Sequence, residues 1–520
     1  MRHKSFYKYV MIGLSWGIMM LFFAIMSSAQ ELKDDIFIYS VNNGCAVIES
    51  CTNQYKYKIT IPKKVGEYPV KSIASGAFYG NEHLTELEIS EGIETVGEFS
   101  FYMCAKLEKV TLPKSLKRIE KNAFAMCENL GEIELFQNVQ KIGEGAFQNC
   151  KRITVSKANK NYSSDERGAL FNKDKTVLIQ YPANSEEVEY VVPRFTEKIE
   201  DRAFFQSKNL QKISFLKKVT TIGKEAFAES GITYINIPQS VENIGKMAFA
   251  KTAIVSATLP DEITQIPEKL FYLCTLLERV NISSNTESIG DSAFFGCEKL
   301  LEFDFPTSLT RIGKGAFFGC KALRSIVIPE GTEIIRDNTF YRSGINVLTL
   351  PASVKYIGYE AFSQCKHLES VVYNASKEKW EEIYIGENNE SLTECEKEFR
   401  NFDISFDIKE TKTKSVGHGE ILVLYADTEK YPTMCRIMWS VNGDAAQVKQ
   451  SVDGTACHVI PQKSGTVTVR ASLVDQNGNI TVNSDGKEIV AEKEIKVKVN
   501  FFRKAVRFIK DLFNLTRYVF

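Results

Sequence analysis

The apolar positions of this chain recur with a long period before any shorter one is visible. The pattern Ile/Val-x-x-x-x-Phe closes at Phe78, Phe101, Phe124, Phe147, Phe204, Phe227, Phe249, Phe271, Phe294, Phe317, Phe340 and Phe362. The gaps are 23, 23, 23, 57, 23, 22, 22, 23, 23, 23 and 22 residues, so each unit is the size of one supersecondary element. Other offsets keep the same register: usually Ala one before the Phe, a small residue three after it, an aliphatic residue six after it. An alternating run follows, as in Leu107-x-x-Val110-x-Leu112-Pro113 and Ile232-x-x-Ile235-x-Ile237-Pro238, and predicts a short half-buried strand. The closing Pro lacks a ladder donor and ends it. A second short extended piece ends at the Ile, where Gly143, Gly223, Gly245, Gly290 and Gly313 break it. The x-x-Ala-Phe segment is then expected to make a helical turn that carries the Phe inward. One such unit cannot bury its own apolar face, but stacked units share a core and their stability is a sum of unit and nearest-neighbour terms. The expected fold is a solenoid.

These residues resemble the leucine-rich repeats of the BspA-like type, found in bacterial surface and secreted proteins. The resemblance covers about residues 36–392 and implies a leucine-rich repeat solenoid, strand-dominated with short helical turns. Phe37-Ile38-Tyr39 through Ile59-Thr60-Ile61-Pro62 resembles the family's N-terminal cap hairpin, giving a cap over 30–72 and repeats over 73–373. Inside the long gap, Asn161-Tyr162-Ser163-Ser164-Asp165 and Leu170-Phe171-Asn172-Lys173-Asp174 are similar to the family's long repeat with an inserted hairpin, about 153–195. Trp380-x-x-Ile383-x-Ile385-Gly386, with Asn388 and Leu392, resembles a C-terminal cap, so 374–400 is read as cap and linker. Caps are expected because an open solenoid end is a template for edge pairing.

Beyond the repeats the period changes. Phe402-x-Ile404-x-Phe406-x-Ile408 alternates strictly, and further short runs are divided by Asn442-Gly443, Asp453-Gly454, Asn477-Gly478 and Asp485-Gly486, the strongest turn dipeptides. Residues 401–499 therefore read as an all-β sandwich. Trp439-Ser440 followed by Gly465-Thr466-Val467-Thr468-Val469 resembles bacterial Ig-like domains. Residues 500–520 place Arg503, Arg507, Lys510 and Arg517 opposite Phe502, Ile509 and Phe513. That tail helix is a candidate for peripheral membrane contact, and equally for docking on protein, since amphipathicity does not separate the two.

At the other end, Arg2, Lys4 and Lys8, an apolar stretch from Val10 to Met26 and the small residues Ser27-Ser28-Ala29 have the layout of a secretory signal over 1–29. An uncleaved anchor is the alternative, and both imply a secreted or cell-surface protein. Lys+Arg 65 balances Asp+Glu 65, and a chain without a basic excess lacks the means to release counterions from nucleic acid. At 44% hydrophobic and 25% charged it has ample core.

Twelve cysteines in an exported chain raise the question of disulfides. Cys104, Cys127, Cys150, Cys274, Cys297, Cys320 and Cys365 occupy one slot, three after the repeat Phe, which elsewhere holds Asn81, Ser207, Ser230, Thr252 and Ser343. Neighbouring strands lie about 4.8 Å apart with parallel side chains, beyond the Cβ separation of about 3.5–4.5 Å that a disulfide needs. Buried free thiols are expected, with a disulfide ladder or a metal stripe as the alternative. Cys45 and Cys51 flank Ala46-Val47-Ile48 and could bridge a cap hairpin.

Five histidines, none in a recognisable catalytic or metal-binding motif, argue against an enzyme and call for no cofactor. The positive reading is a binding protein whose partner is a protein or surface glycan. Candidate ligand contacts are the outward residues of the alternating runs: Glu86, Glu88, Lys109, Glu132, Glu134, Lys212, Tyr234, Asn236, Arg279, Asn281, Glu302 and Asp304. The competing reading takes these as β-favouring solvent residues and the protein as an envelope spacer with no dedicated ligand.

Overall fold

The computed structural model describes residues 32–33, 36–53, 55–216, 218–399, 408–410, 415–417, 422–426, 436–450, 456–462, 464–474 and 490–498, with residues 478, 480 and 488. The expected signal, the alternating residues Phe402, Ile404 and Phe406, the turns Asp453-Gly454 and Asp485-Gly486, and the tail residues Phe502, Arg503, Arg507, Ile509, Lys510, Phe513 and Arg517 lie outside these. The chain divides into two units, 1–254 and 255–520.

In the first unit each repeat makes one coil with a longer and a shorter strand, and each stacks in parallel on the same strand of the next coil. Lys58–Ile61, Glu86–Ile89 and Lys109–Thr111 form one sheet of long strands, in which Leu87 pairs with Ile59 and Val110. Thr95–Val96, Arg118–Ile119 and Lys141–Ile142 form the short-strand sheet, continued from Tyr68–Ile73. The second unit repeats the scheme with Ser325–Val327, Val347–Leu350 and Ser370–Tyr373 on one side and Arg311–Ile312, Ile334–Ile335 and Tyr356–Ile357 on the other.

Between the short strand and the next long one runs the segment that carries the phenylalanine, and it is not a helix. Its residues donate alternately within the coil and to the next coil. Phe99, Phe101 and Met103 give their N–H groups to the carbonyls of Lys121, Ala123 and Ala125, while Ser100, Tyr102 and Cys104 give theirs to Gly97, Phe99 and Phe101. The alternation requires left-handed backbone two residues before and two after the Phe, as at Phe99 (φ 54°) and Met103 (φ 61°) or Glu225 (φ 54°) and Glu229 (φ 59°). Such conformations cost a non-glycine residue about 1–2 kcal/mol. Hydrogen bonds to both neighbours offset that cost, so a third hydrogen-bonded side replaces the expected helical turn.

The core follows from this geometry. Phe78, Phe101, Phe124 and Phe147 stack nearly parallel at 4.9, 5.1 and 5.7 Å between ring centroids, inside the range where offset stacking adds to burial. The 57-residue gap hides a member of the column. Tyr181, 23 residues before Phe204, stacks on it at 5.0 Å and gives its N–H to Ala203 as the phenylalanines do. The insertion ahead of it is an antiparallel meander of Tyr162–Ser164, Leu170–Asn172 and Val177–Gln180. The glycines after the Ile do more than break a strand: a Cβ on Gly143 would meet the Lys121 nitrogen at 2.3 Å, and one on Gly313 the Asp291 nitrogen at 2.5 Å. They set how closely coils approach.

Both caps are built. Phe37–Asn42 and Cys45–Cys51 form an antiparallel hairpin turned at Asn43-Gly44, whereas Ile59-Thr60-Ile61 already belongs to the first long strand. At the far end Asn389 satisfies the last coil, giving its amide to the Gly358 and Gly386 carbonyls and accepting from the Phe362 N–H. Trp380, on the helix Lys377–Glu381, packs edge-on against Tyr373 and Phe399. Glu396–Phe399 adds a strand to the long-strand sheet, within the stretch read from the sequence as cap and linker.

The C-terminal third holds two four-stranded sheets. Trp439, Cys457, Val459, Val469, Leu473 and Ile495 are buried in one core. Register is antiparallel throughout the Arg436–Asn442, Gly465–Val474 and Val490–Lys498 strands.

Candidate ligand-binding face

Most long strands alternate between core and solvent, so a coil typically presents two outward side chains; Ser370–Tyr373 departs from this, with Val371, Val372 and Tyr373 all buried. In the first unit Glu88, Lys109, Glu132, Glu134, Lys212, Tyr234 and Asn236 are exposed and Glu86 half-buried, while Leu87, Val110, Ile133, Ile213 and Ile235 between them are buried. In the second unit Arg279, Asn281, Glu302 and Asp304 are exposed around buried Val280 and Phe303. Glu302 and Asp304 lie on extended chain that is not part of a sheet strand.

Parallel stacking puts residues one coil apart side by side, and this decides which charges remain free. Glu86 pairs with Lys58 at 3.2 Å, Lys212 with Glu189 at 3.4 Å and Arg279 with Glu302 at 3.3 Å. Asn281 donates to Thr258 at 3.3 Å. Glu88, Lys109, Glu132, Glu134 and Asp304 have no ion-pair partner among the described residues; of these Lys109, Glu132 and Glu134 lie together on neighbouring coils of the first unit. All these pairs are solvated and contribute about 0–1 kcal/mol each.

The structure also places residues the strand-by-strand reading did not select. Tyr55 and Tyr57 are 75% and 65% exposed ahead of the first long strand, with the His83 ring 5.0 Å from that of Tyr55. On the short-strand face Ile334, Tyr356 and Tyr384 form an exposed apolar row, the two tyrosines stacked at 5.0 Å. The outward slot of the short strand carries the signal for this row, since it holds Thr95, Arg118 and Lys141 in earlier coils.

The cysteine slot is structural. Cys104, Cys127, Cys297, Cys320 and Cys365 each give the thiol to the carbonyl of the repeat Phe one coil earlier, at 3.1–3.3 Å. Burial pushes Cys104 and Cys150 up to about 12, which keeps them protonated and unreactive. The buried hydroxyls of Ser207 and Ser230 lack such a partner, so size is the slot's common requirement. Cys45 and Cys51 cannot bridge: both are free and lie at opposite ends of one extended strand, about 20 Å apart at strand rise. Among the described residues no group of His, Cys, Asp and Glu could hold a metal ion, and no helix is long and apolar enough to cross a membrane.

A family model described as "BspA type Leucine rich repeat region" matches residues 49–177, 197–314 and 287–396, more than half of the chain. The chain belongs to the BspA-type leucine-rich repeat family. Solved structures similar to this BspA-type chain include a leucine-rich repeat protein from Eubacterium ventriosum, 24% identical with a TM-score of 0.49 over 60% of this chain and 94% of its own. A leucine-rich repeat protein from Bacteroides ovatus is 23% identical with a TM-score of 0.45 over 71% and 99%. A leucine rich cell surface protein from Faecalibacterium prausnitzii is 22% identical with a TM-score of 0.32 over 69% and 98%. No curated protein matches the BspA-type chain.

Proposed function

We propose that this protein is an exported, non-enzymatic adhesion or protein-interaction protein that binds a host or bacterial surface ligand through the long-strand face. The observation that carries the reading is the separation of tasks in each coil: buried residues fix the stack, while outward residues at the same register vary from Glu132 and Glu134 to Tyr234 and Asn236 without touching it. The basic and apolar N-terminal layout supports export, and the two-sheet C-terminal region fits an Ig-like module. An envelope spacer is the competing function, and binding separates the two. The full chain, immobilised, is expected to retain a protein or glycoprotein from a host-matrix or bacterial-surface panel, and Lys109→Glu with Glu132→Lys and Glu134→Lys is expected to weaken retention by about tenfold or more with the melting temperature unchanged. Retention of nothing by the parent chain, or equal retention by the triple variant, would overturn the reading.

A further inference from the structure

The side of the second unit that carries the phenylalanines has a recess of about 500 Å³, and the repeat register explains its origin. Two residues after the repeat Phe stands a left-handed position, glycine in the first coil at Gly80 (φ 68°) and filled by long side chains at Met103 (φ 61°), Met126 (φ 60°), Gln206 (φ 60°) and Glu229 (φ 59°). In two successive coils that slot is Gly296 (φ 71°) and Gly319 (φ 71°). The backbone does not need glycine there, because other coils adopt the same conformation with large residues. At Gly319 the glycine leaves open volume, while at Gly296 it makes room for the Leu273 side chain, whose Cδ2 would lie 2.6 Å from a Cβ there and which forms one wall of the recess.

The recess has an apolar floor and a charged rim. Its floor is Phe295 and Phe318, stacked at 4.4 Å and continued by Tyr272 and Tyr341 at 5.0 and 4.7 Å. With each ring covering its neighbour, the column offers ring edges to solvent, a surface suited to an alkyl or aryl side chain more than to a sugar laid on an open ring face. The backbone N–H groups of Gly296 and Gly319 are bonded to the Phe318 and Tyr341 carbonyls, so polar recognition falls to the rim. There Lys321 is neutralised by Glu298 at 2.7 Å, while Arg342 and Lys366, both exposed, have no ion pair among the described residues. Two uncompensated cations beside an apolar floor select a ligand that is apolar at its centre and negative at its edge.

We propose that this recess is a binding site for an acidic peptide segment carrying one bulky apolar side chain, which seats over Phe295 and Phe318 while flanking carboxylates meet Arg342 and Lys366. It lies on a different side of the coil from the long-strand face, and neither reading depends on the other. The probe is a fluorescein-labelled peptide with one Phe between paired Asp and Glu residues, titrated with the full chain and read by anisotropy. Saturable binding is expected, lost when Lys replaces the acids or Ala replaces the Phe. Gly319→Met restores what other coils carry, and a Cβ there meets nothing closer than the Gly296 Cα at 3.8 Å; it is expected to weaken binding by about tenfold or more. Arg342→Ser with Lys366→Ser, both at exposed positions, should do the same and tests the site even if Gly319→Met destabilises the coil. Lys109→Glu with Glu132→Lys should leave this peptide's affinity unchanged. Unaltered affinity in the recess variants, equal binding of the Phe-free peptide, or binding of only a sialylated oligosaccharide would overturn the proposal.

Discussion

The solenoid and the C-terminal sandwich are both β structures with buried apolar cores, yet they specify those cores in opposite ways. In the solenoid like lies on like: Phe204, Phe227 and Phe249 stack at 4.9 and 5.5 Å, and the Cys127 thiol reaches the Phe101 carbonyl as Cys104 reaches Phe78. In the sandwich the core mixes residue types without a repeating column: Trp439 is set opposite Ala471 in antiparallel register, and Leu424 opposite Cys457. Repetition states one packing requirement many times over, whereas the sandwich states each requirement once. A defect in the solenoid is therefore felt by the coils on both sides.

The largest expected effect tests that point. Phe227 is fully buried between two rings, so Phe227→Ala removes its own burial and leaves both neighbours facing a cavity, at a cost of roughly 3–5 kcal/mol. Thr111→Ala, outward on a long strand, should fall within about 0.5 kcal/mol of zero. Denaturant titrations of the two variants decide it; similar losses would mean that inside and outside have been exchanged.

Legibility in the sequence follows the same division. The Phe column and the long strands were readable because each core slot recurs in chemically similar form, and the outward residues followed from the alternation although their chemistry varies. Tyr181 was not, because Thr176 stands where the pattern has Ile and the gap before it is filled by the meander. The left-handed positions were hidden for another reason: Phe99, Asn122, Glu225 and Met247 share a backbone conformation and no side-chain property. Gly143 was visible as a breaker, but its close approach to Lys121 is a property of two coils together. The recess over Phe295 and Phe318 is hardest to read, since it consists of absent side chains 23 residues apart whose meaning appears only on stacking. In the sandwich, alternation marked Gly465–Val474 but did not single out Ala446–Gln450 or Ala456–Pro461, and it could pair none of them.

A middle-sized effect sharpens the comparison at the cysteine slot. Cys127→Ala should cost about 1 kcal/mol, since the Phe101 carbonyl loses the thiol and keeps its bond from the Cys104 N–H at 3.3 Å. Native-state alkylation provides the second measurement. Cys104 and Cys150, pushed up to about 12 by burial, should resist iodoacetamide until denaturant is added. Rapid labelling of these thiols in the native state, or disulfides between them, would contradict the stacked geometry.

The smallest expected effect concerns charges that repetition places in columns on the surface. Glu94 accepts from Lys117 at 2.7 Å and Lys71 at 3.2 Å, residues one coil to either side, and these hydrogen bonds hold its carboxyl below the ordinary value of 4.5. Glu120 is lowered in the same way, first by Lys141 and then by Arg118. A carboxyl whose folded pKa is depressed contributes stability that is present above its unfolded value and disappears as pH falls through the folded one. The contribution is therefore complete at neutral pH and lost below about pH 4.5. Both side chains are part-exposed and their lysine partners solvated, so Glu94→Gln and Glu120→Gln should each lower stability by no more than about 1 kcal/mol at pH 7. The difference from the parent chain should shrink in 1 M salt, where the screening length is about 3 Å, and should fade as pH drops below 4.5 and through the lowered folded value. A penalty that persisted unchanged to pH 3 would show that Glu94 contributes through packing and that the columns of opposite charge add nothing to the stacking of coils.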